Sequence, residues 1–271
     1  MEQSKYFEKI AEYKLLAKHE VGQNFLIDPS SCSKIVDALD LSENDKVLEI
    51  GSGAGSLSYF LMKNEADATL LDIDEGLVTK LKEDFASCPN IKPIQANALK
   101  YDMKGFTKIL GNLPYYITSS LIETILLKGC DASKAVLMVQ KEVYPRLASS
   151  LKSEGYGPLS ILISYRASIK REFNVPRTSF APMPHVDSLV FSLTFKDDVD
   201  IEKASKLYSL LNALFLHRRK TIYNNLSLYL KDDEKASLYL EKTHILKNKR
   251  PEELTLNDYL ALLDCCEEIR N

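Results

Sequence analysis

The stretch Leu48-Glu49-Ile50-Gly51-Ser52-Gly53-Ala54-Gly55-Ser56-Leu57, LEIGSGAGSL, changes character at its midpoint. An apolar run of strand length, KVLEIG (46–51), breaks into three alternating glycines, and Ser56 to Lys63 resumes with the spacing of a helix. Glycine supplies the positive φ and bare backbone of a tight strand-to-helix turn. Outward from this turn the alternation continues. ATLLDID (68–74), IKPIQA, TKILGN and AVLMVQ are the next strand candidates. Near-continuous apolar strands separated by helices predict a Rossmann-like α/β fold with a mostly parallel sheet covered on both faces. ILISYRASIKREF and SLVFSLTF are β-rich and separated by a proline-rich loop rather than a helix, which predicts an antiparallel pair at one edge. After KDDVD (196–200) the chain becomes rich in Leu, Lys and Glu with helical spacing to its end. The expected organisation is one α/β domain over 1–198 and a small helical domain over 199–271.

The whole chain bounds the function. Its 271 residues are 45% hydrophobic and 27% charged, ordinary for a globular protein with a real core. No apolar run approaches the roughly 18–20 residues that span a bilayer. The first residues, MEQSKYFEKIAEYK, lack the apolar centre of a signal peptide, so a cytoplasmic location without membrane attachment is expected. Five cysteines (Cys32, Cys88, Cys130, Cys265, Cys266) form no C-x-x-C pair, and four histidines (His19, His185, His217, His244) show no metal-ligand spacing. Reduced thiols and no metal site are expected. The net charge of −3 is unevenly spread: residues 1–110 hold 13 basic and 18 acidic side chains, 134–177 hold 8 and 3, and 212–250 hold 9 and 4. Such asymmetry allows a basic face on an acidic protein, or two solvated helical surfaces.

The glycine turn narrows the ligand. A dinucleotide fingerprint calls for glycine at position 56, where this chain has Ser56. G-x-G-x-G after Glu49 suits S-adenosylmethionine better, because that cofactor has no pyrophosphate and instead needs close backbone at Gly51 and Gly53. Asp72, 21 residues after Gly51 at the end of the second strand, can accept hydrogen bonds from both ribose hydroxyls. Asn97, in QANAL, can accept from an adenine amino group and donate to a ring nitrogen, or simply form a turn.

The run KILGNLPYY ends the fourth strand of such a sheet, where ligands bind. An exocyclic amine on a base is a poor nucleophile, because its lone pair is delocalised into the ring. The Asn112 side-chain oxygen and the Leu113 carbonyl could take its two hydrogens, hold the nitrogen in line with an activated methyl, and favour the positive charge that develops. Pro114 fixes the backbone there, and Tyr115 offers a ring on which the base can stack. No metal and no strong base is required. The target base must leave any helix to enter. Phe180, in FAPMPHVDS, could cover its other face or could anchor a proline-rich loop in the core.

With these residues assembled, the chain resembles the small-subunit (16S) ribosomal RNA adenine N6,N6-dimethyltransferase family. The likeness runs in order through VGQNFLID (21–28), GSGAGSL, NLPYY, VQKEVYPRL (139–147), YGPLS (156–160), FAPMPHVDS (180–188), FLHRRKTIYNNL (215–226) and RPEELTLNDYLALL (250–263). The resemblance implies a class I S-adenosylmethionine-dependent methyltransferase that converts two adjacent adenosines near the 3′ end of small-subunit rRNA to dimethyladenosines during ribosome biogenesis. It implies that Asn24 and Leu26 contact the cofactor alongside Gly51, Gly53, Asp72, Asn97 and Asn112. It further implies that Asn112, Leu113, Tyr115 and Phe180 hold the target adenine. The helical domain is then RNA-binding, with Arg218, Arg219 and Lys220 on phosphates. The partner would be rRNA in a pre-30S particle, met by a monomer. Two positions depart from the family: Asp72 stands where Glu is usual, and Asn97 where Asp is usual. Two alternatives keep the fold: a large-subunit rRNA adenine methyltransferase of the antibiotic-resistance type, and a non-catalytic ribosome-assembly factor.

Overall fold

The structure is a computed structural model that describes residues 2–12, 24–129 and 131–268. Val21, Gly22 and Gln23 of the N-terminal motif, together with His19 and Cys130, lie outside the described residues. The chain divides into two units, Met1–Tyr144 with Ser168–Lys196, and Pro145–Ala167 with Asp197–Asn271.

The first unit begins with α1 (Gln3–Glu12), β1 (Phe25–Leu26), α2 (Pro29–Asp37), β2 (Lys46–Ile50), α3 (Ser56–Lys63), β3 (Asp67–Asp72), α4 (Glu75–Asp84), β4 (Ile91–Gln95) and β5 (Lys108–Asn112). It continues through α5 (Thr118–Lys128) and β6 (Lys134–Gln140). After the short α6 (Tyr144–Leu147) and after α7 (Pro158–Arg166) of the second unit, β7 (Ala167–Val175), β8 (Phe180–Ala181) and β9 (Ser188–Phe195) complete it. Seven strands form one sheet in the order β4-β3-β2-β5-β6-β9-β7. The pairs from β4 through β6 are parallel, and β9 runs antiparallel to β6, from Lys134↔Thr194 to Gln140↔Ser188. The predicted strands from β2 to β6 and helix α3 therefore stand where the sequence placed them. Pro93 lies in β4, the sheet's edge, where a missing N–H costs no ladder hydrogen bond.

The predicted edge pair needs one correction. ILISYR (161–166) is the end of α7, and the strand starts only at Ala167. Branched residues alone cannot separate a buried helix from a strand, and α7 is buried at Ile161, Leu162 and Ile163 in succession.

The second unit is helical: α7, α8 (Ile201–Leu214), α9 (Ile222–Leu230), α10 (Asp233–Lys242) and α11 (Leu256–Glu268). Tyr156 and Ile161 share a buried cluster with Leu207, Leu211, Leu240 and Leu262. The Tyr156 hydroxyl donates to the Leu254 carbonyl at 2.9 Å. Residues 145–167, which the sequence reading left with the first domain, thus pack within the helical unit. A change of composition marks only the second crossing, near residue 197, and not this earlier excursion.

Strand β2 sits at the switch point: the chain proceeds to β3 and β4 on one side and to β5 and β6 on the other. Its glycine turn is shaped by contacts from elsewhere. Gly51, Gly53 and Gly55 have φ of +70°, +54° and +85°. Gly55 caps α3, and the Tyr6 hydroxyl of α1 donates to the Ala54 and Gly55 carbonyls at 3.3 Å each. A methyl at Gly55 would collide with that hydroxyl and lie 2.8 Å from Leu81 Cδ2. Strain at positive φ and overpacking act together here. Gly55→Ala is therefore expected to lower stability by about 2 kcal/mol or more. Equilibrium urea unfolding reads this directly, and an unchanged midpoint would remove α1 as the constraint on the turn.

Candidate active site

The carboxyl ends of β2, β3 and β5 surround a cavity of about 440 Å³. Of the predicted cofactor residues, Asn24, Leu26, Gly51, Gly53, Asp72 and Asn97 all line it. From the β5 loop, Asn112, Leu113 and Tyr115 line it as well.

The Asp72 carboxylate organises one wall. Its Oδ2 accepts the Gly53 N–H at 2.8 Å and its Oδ1 accepts the Asp74 N–H at 2.9 Å. It is 8% exposed, and burial raises its pKa against the pull of those two N–H bonds. Each oxygen keeps a second lone pair, so a diol can still be bound. Asp74, which the sequence left as a possible solvated acid, caps α4 by accepting from Gly76 and Leu77. Ile73, 63% exposed though apolar, lines the cavity between these two acids. In the sequence its only sign was an apolar residue set between two acids at a strand end. Asn97 takes the turn reading: Oδ1 accepts the Leu99 N–H at 3.0 Å, and the amide nitrogen is left as a donor on the cavity wall.

The N-terminal segment 24–26 closes the opposite side. Ser56, where a dinucleotide site would have glycine, donates its hydroxyl to the Leu26 carbonyl at 2.6 Å. A side chain at Gly53 would meet the Phe25 ring at 3.3 Å. Strand β1 pairs with β8, Phe25 with Ala181 and Leu26 with Phe180. Ser56 was legible only as an exception to a motif; its positioning role depends on a partner 30 residues away.

At the end of β5, Asn112 Nδ2 donates to the Asn24 carbonyl at 3.4 Å. Only the nitrogen can donate to a carbonyl, so this contact identifies Oδ1 as the free acceptor. The Leu113 N–H donates to Met138, and among the described residues its carbonyl receives no hydrogen bond. The Tyr115 hydroxyl is bonded to Ser188 Oγ at 3.0 Å, which pins its ring; burial raises the phenol's pKa. Tyr116 also lines the cavity, 62% exposed. A side chain at Gly111 would fall 3.0 Å from the Ile50 carbonyl, so glycine keeps this loop close against β2.

Phe180 sits differently from expectation, and Arg218 has a structural partner besides its exposure. Phe180 is 3% exposed, packed in the sheet's main apolar cluster, and absent from the cavity lining. Its backbone pairs with Leu26 and its side chain belongs to the buried cluster that includes Phe25 and Leu26, so here it supports segment 24–26 rather than lining the cavity. In the helical unit, Arg218 Nη2 donates to the Glu154 and Tyr156 carbonyls at 3.4 and 3.1 Å, and its guanidinium stacks over Phe215. Arg218 thus ties down a loop. Arg218, Arg219 and Lys220 are all exposed.

Beneath the glycine turn, Glu49 is buried and lines the cavity, with Ser58 Oγ donating to its Oε2 at 2.7 Å. Burial, opposed by Ser58 and assisted by Asp72, pushes its pKa up to about 8. An acid protonated in the fold but ionised in the unfolded chain makes folding take up a proton. Stability then falls as pH rises from near the ordinary glutamate value towards 8. The wild type should lose more stability than Glu49→Gln across that window, by at most about 1.4 kcal/mol per pH unit. Parallel pH profiles in urea titrations would exclude a neutral Glu49.

A parallel sheet with its switch point at β2, a G-x-G-x-G turn, an acid at the end of β3 and an N-L-P-Y loop at the end of β5 define a class I S-adenosylmethionine-dependent methyltransferase. The residues fit that cofactor: Asp72 retains lone pairs for a ribose, Ile73 offers an apolar face, and the left-handed glycines leave room for the amino-acid end. The sequence profile of ribosomal RNA adenine dimethylases matches residues 15–268, and the chain belongs to that family. Ribosomal RNA small subunit methyltransferase A of Streptococcus thermophilus is 36% identical over 267 residues, 93% of this chain and 92% of that one. The protein of the same name from Malacoplasma penetrans is 36% identical and covers 96% of both chains. Among solved structures, a dimethyladenosine transferase from Plasmodium falciparum aligns with a TM-score of 0.75 at 28% identity, covering 89% of this chain and 96% of that one. The 23S rRNA methyltransferase ErmE aligns with a TM-score of 0.63 at 22% identity, covering 90% and 99%, a likeness of fold.

Proposed function

We propose that this chain transfers methyl groups from S-adenosylmethionine to N6 of two adjacent adenosines near the 3′ end of small-subunit rRNA. It would act as a monomer in the cytoplasm on RNA carried in a pre-30S particle. The observation that carries the reading is the Asn112 amide: its nitrogen is committed to Asn24, which leaves its oxygen as an acceptor beside the unused Leu113 carbonyl. Two acceptors so placed suit an amine with two hydrogens and stabilise the charge that grows on nitrogen during transfer. Tyr115, held by Ser188, and the exposed Tyr116 offer aromatic surface to an unstacked base. The bound cofactor supplies the electrophilic methyl. The chain supplies alignment, and the proton leaves from a strongly acidic methylated amine without a protein base. For Phe180 to clamp the base, β8 would have to shift from its pairing with β1.

The names of the 36% identical relatives favour the small-subunit target over a large-subunit one, since the likeness to ErmE is one of fold. Labelled-methyl incorporation into under-methylated 30S particles, followed by mass mapping of the rRNA 3′ region, tests the proposal. Two adjacent dimethyladenosines are expected. Label in large-subunit rRNA would favour the resistance-type enzyme, and RNA binding without incorporation would favour an assembly factor.

Asn112→Ala should abolish measurable methyl transfer while S-adenosylmethionine affinity stays within about tenfold, roughly 1.4 kcal/mol. Near-normal turnover in that variant would refute the role of the amide. Arg219→Ala with Lys220→Ala should weaken RNA binding and reduce its salt slope by about 2, one unit for each lost phosphate contact. Arg218→Ala should instead lower the melting temperature, because it frees the Glu154 and Tyr156 carbonyls. An unchanged salt slope in the double variant would return both residues to ordinary surface.

A further inference from the structure

Helix α1 touches the glycine turn but contributes no residue to the cavity lining. It buries Tyr6, Phe7 and Ile10 and leaves Lys5 and Glu8 exposed. The Tyr6 ring stacks on Tyr59 of α3 at 4.8 Å and lies 6.1 Å from Phe85, just past the end of α4. Lys9 forms an ion pair with Asp84 of α4. The two helices that α1 joins both begin at the cavity, where Ser56 opens α3 and Asp74 caps α4. Three residues hold the turn between them. Asp72 accepts the Gly53 N–H at 2.8 Å, Ser56 donates to the Leu26 carbonyl at 2.6 Å, and the Tyr6 hydroxyl donates to the Ala54 and Gly55 carbonyls at 3.3 Å each. Asp72 and Ser56 line the cavity themselves, whereas Tyr6, 1% exposed, does not. Any effect of Tyr6 on a ligand must run through the turn.

The peptide between Ala54 and Gly55 is where it acts. Ala54 lines the cavity and is 4% exposed. The N–H of that peptide donates to the Ser52 carbonyl at 2.9 Å, and among the described residues Tyr6 is the only donor to its carbonyl. The peptide is flanked by Gly53 and Gly55, both at positive φ. Glycine restrains its neighbours little, so this plane depends on outside contacts to stay fixed. We propose that Tyr6 is a positioning residue for S-adenosylmethionine: through this peptide, docked α1 holds the turn in the shape that binds the cofactor. Loss of the hydroxyl leaves a buried carbonyl without a donor, and the turn rotates to find one. The coupling is reciprocal, so a bound ligand also holds α1 in place. The inference needs the cofactor assignment alone and is independent of the RNA target.

Isothermal titration calorimetry of the full chain with S-adenosylhomocysteine, which needs no RNA, tests the first half. Tyr6→Phe keeps the ring on Tyr59 and removes only the hydroxyl. It should weaken S-adenosylhomocysteine binding by about tenfold. A merely structural role would lower the urea midpoint and leave the affinity of the folded protein unchanged. Hydrogen exchange read by mass spectrometry tests the second half. In the wild type, saturating S-adenosylhomocysteine should slow exchange at the α1 amides, and in Tyr6→Phe this slowing should disappear. The wild-type arm stands even for a Tyr6→Phe chain that does not fold. Unchanged affinity in folded Tyr6→Phe, or wild-type α1 exchange that ignores the ligand, would overturn the proposal.

Discussion

The Asp72 carboxylate is the contact on which the site depends. One oxygen holds the N–H of Gly53 in the turn after β2, and the other holds the N–H of Asp74 at the start of α4. A charge-assisted hydrogen bond of this kind contributes about 1.5–3 kcal/mol. Two of them on one buried group define where the turn stops and where the second helix begins. It also lines the cavity, so the residue that shapes the glycine turn keeps lone pairs available to a ligand.

The same economy recurs at the reacting end. Asn112 uses its nitrogen to hold Asn24 and thereby presents its oxygen, so the segment that closes one side of the cavity also orients the Asn112 amide. Ser56 secures that segment from the other side through Leu26. The glycine turn and the N-L-P-Y loop are thus tied to one segment, and a change in either is felt in both. Catalysis built this way relies on placement of hydrogen-bond acceptors rather than on a tuned acid or base. The unusual acid in the pocket, Glu49, lies beneath the cofactor turn and not at the N-L-P-Y loop.

Much of this was readable in the residues. Strands β2 to β6 and helix α3 followed from apolar runs and three glycines, because a buried parallel strand admits little but apolar side chains. Gly51, Gly53, Asp72, Asn97, Asn112, Leu113 and Tyr115 converge on one cavity, because each ends or follows a parallel strand of the same sheet, and Asn24 and Leu26 join them from the segment around β1. Residues 161–166 were misread as strand, since a helix buried on several faces leaves no polar stripe to mark its period. Phe180 was assigned to a ligand, yet a two-residue ladder engages its backbone and its side chain is buried, whereas Arg218 holds two carbonyl groups while staying exposed.

The sequence by itself determined the sheet, its glycine turn and the types of side chain at the strand ends, since backbone geometry and local burial demand those residues wherever they occur. Only the tertiary structure decided which atoms of those side chains stay available. Whether Asn112 offers its oxygen, whether Glu49 keeps its proton and whether Phe180 reaches the pocket depend on partners distant in the chain. Hydrogen bonds and desolvation are set by proximity in space, and local sequence patterns carry no record of it.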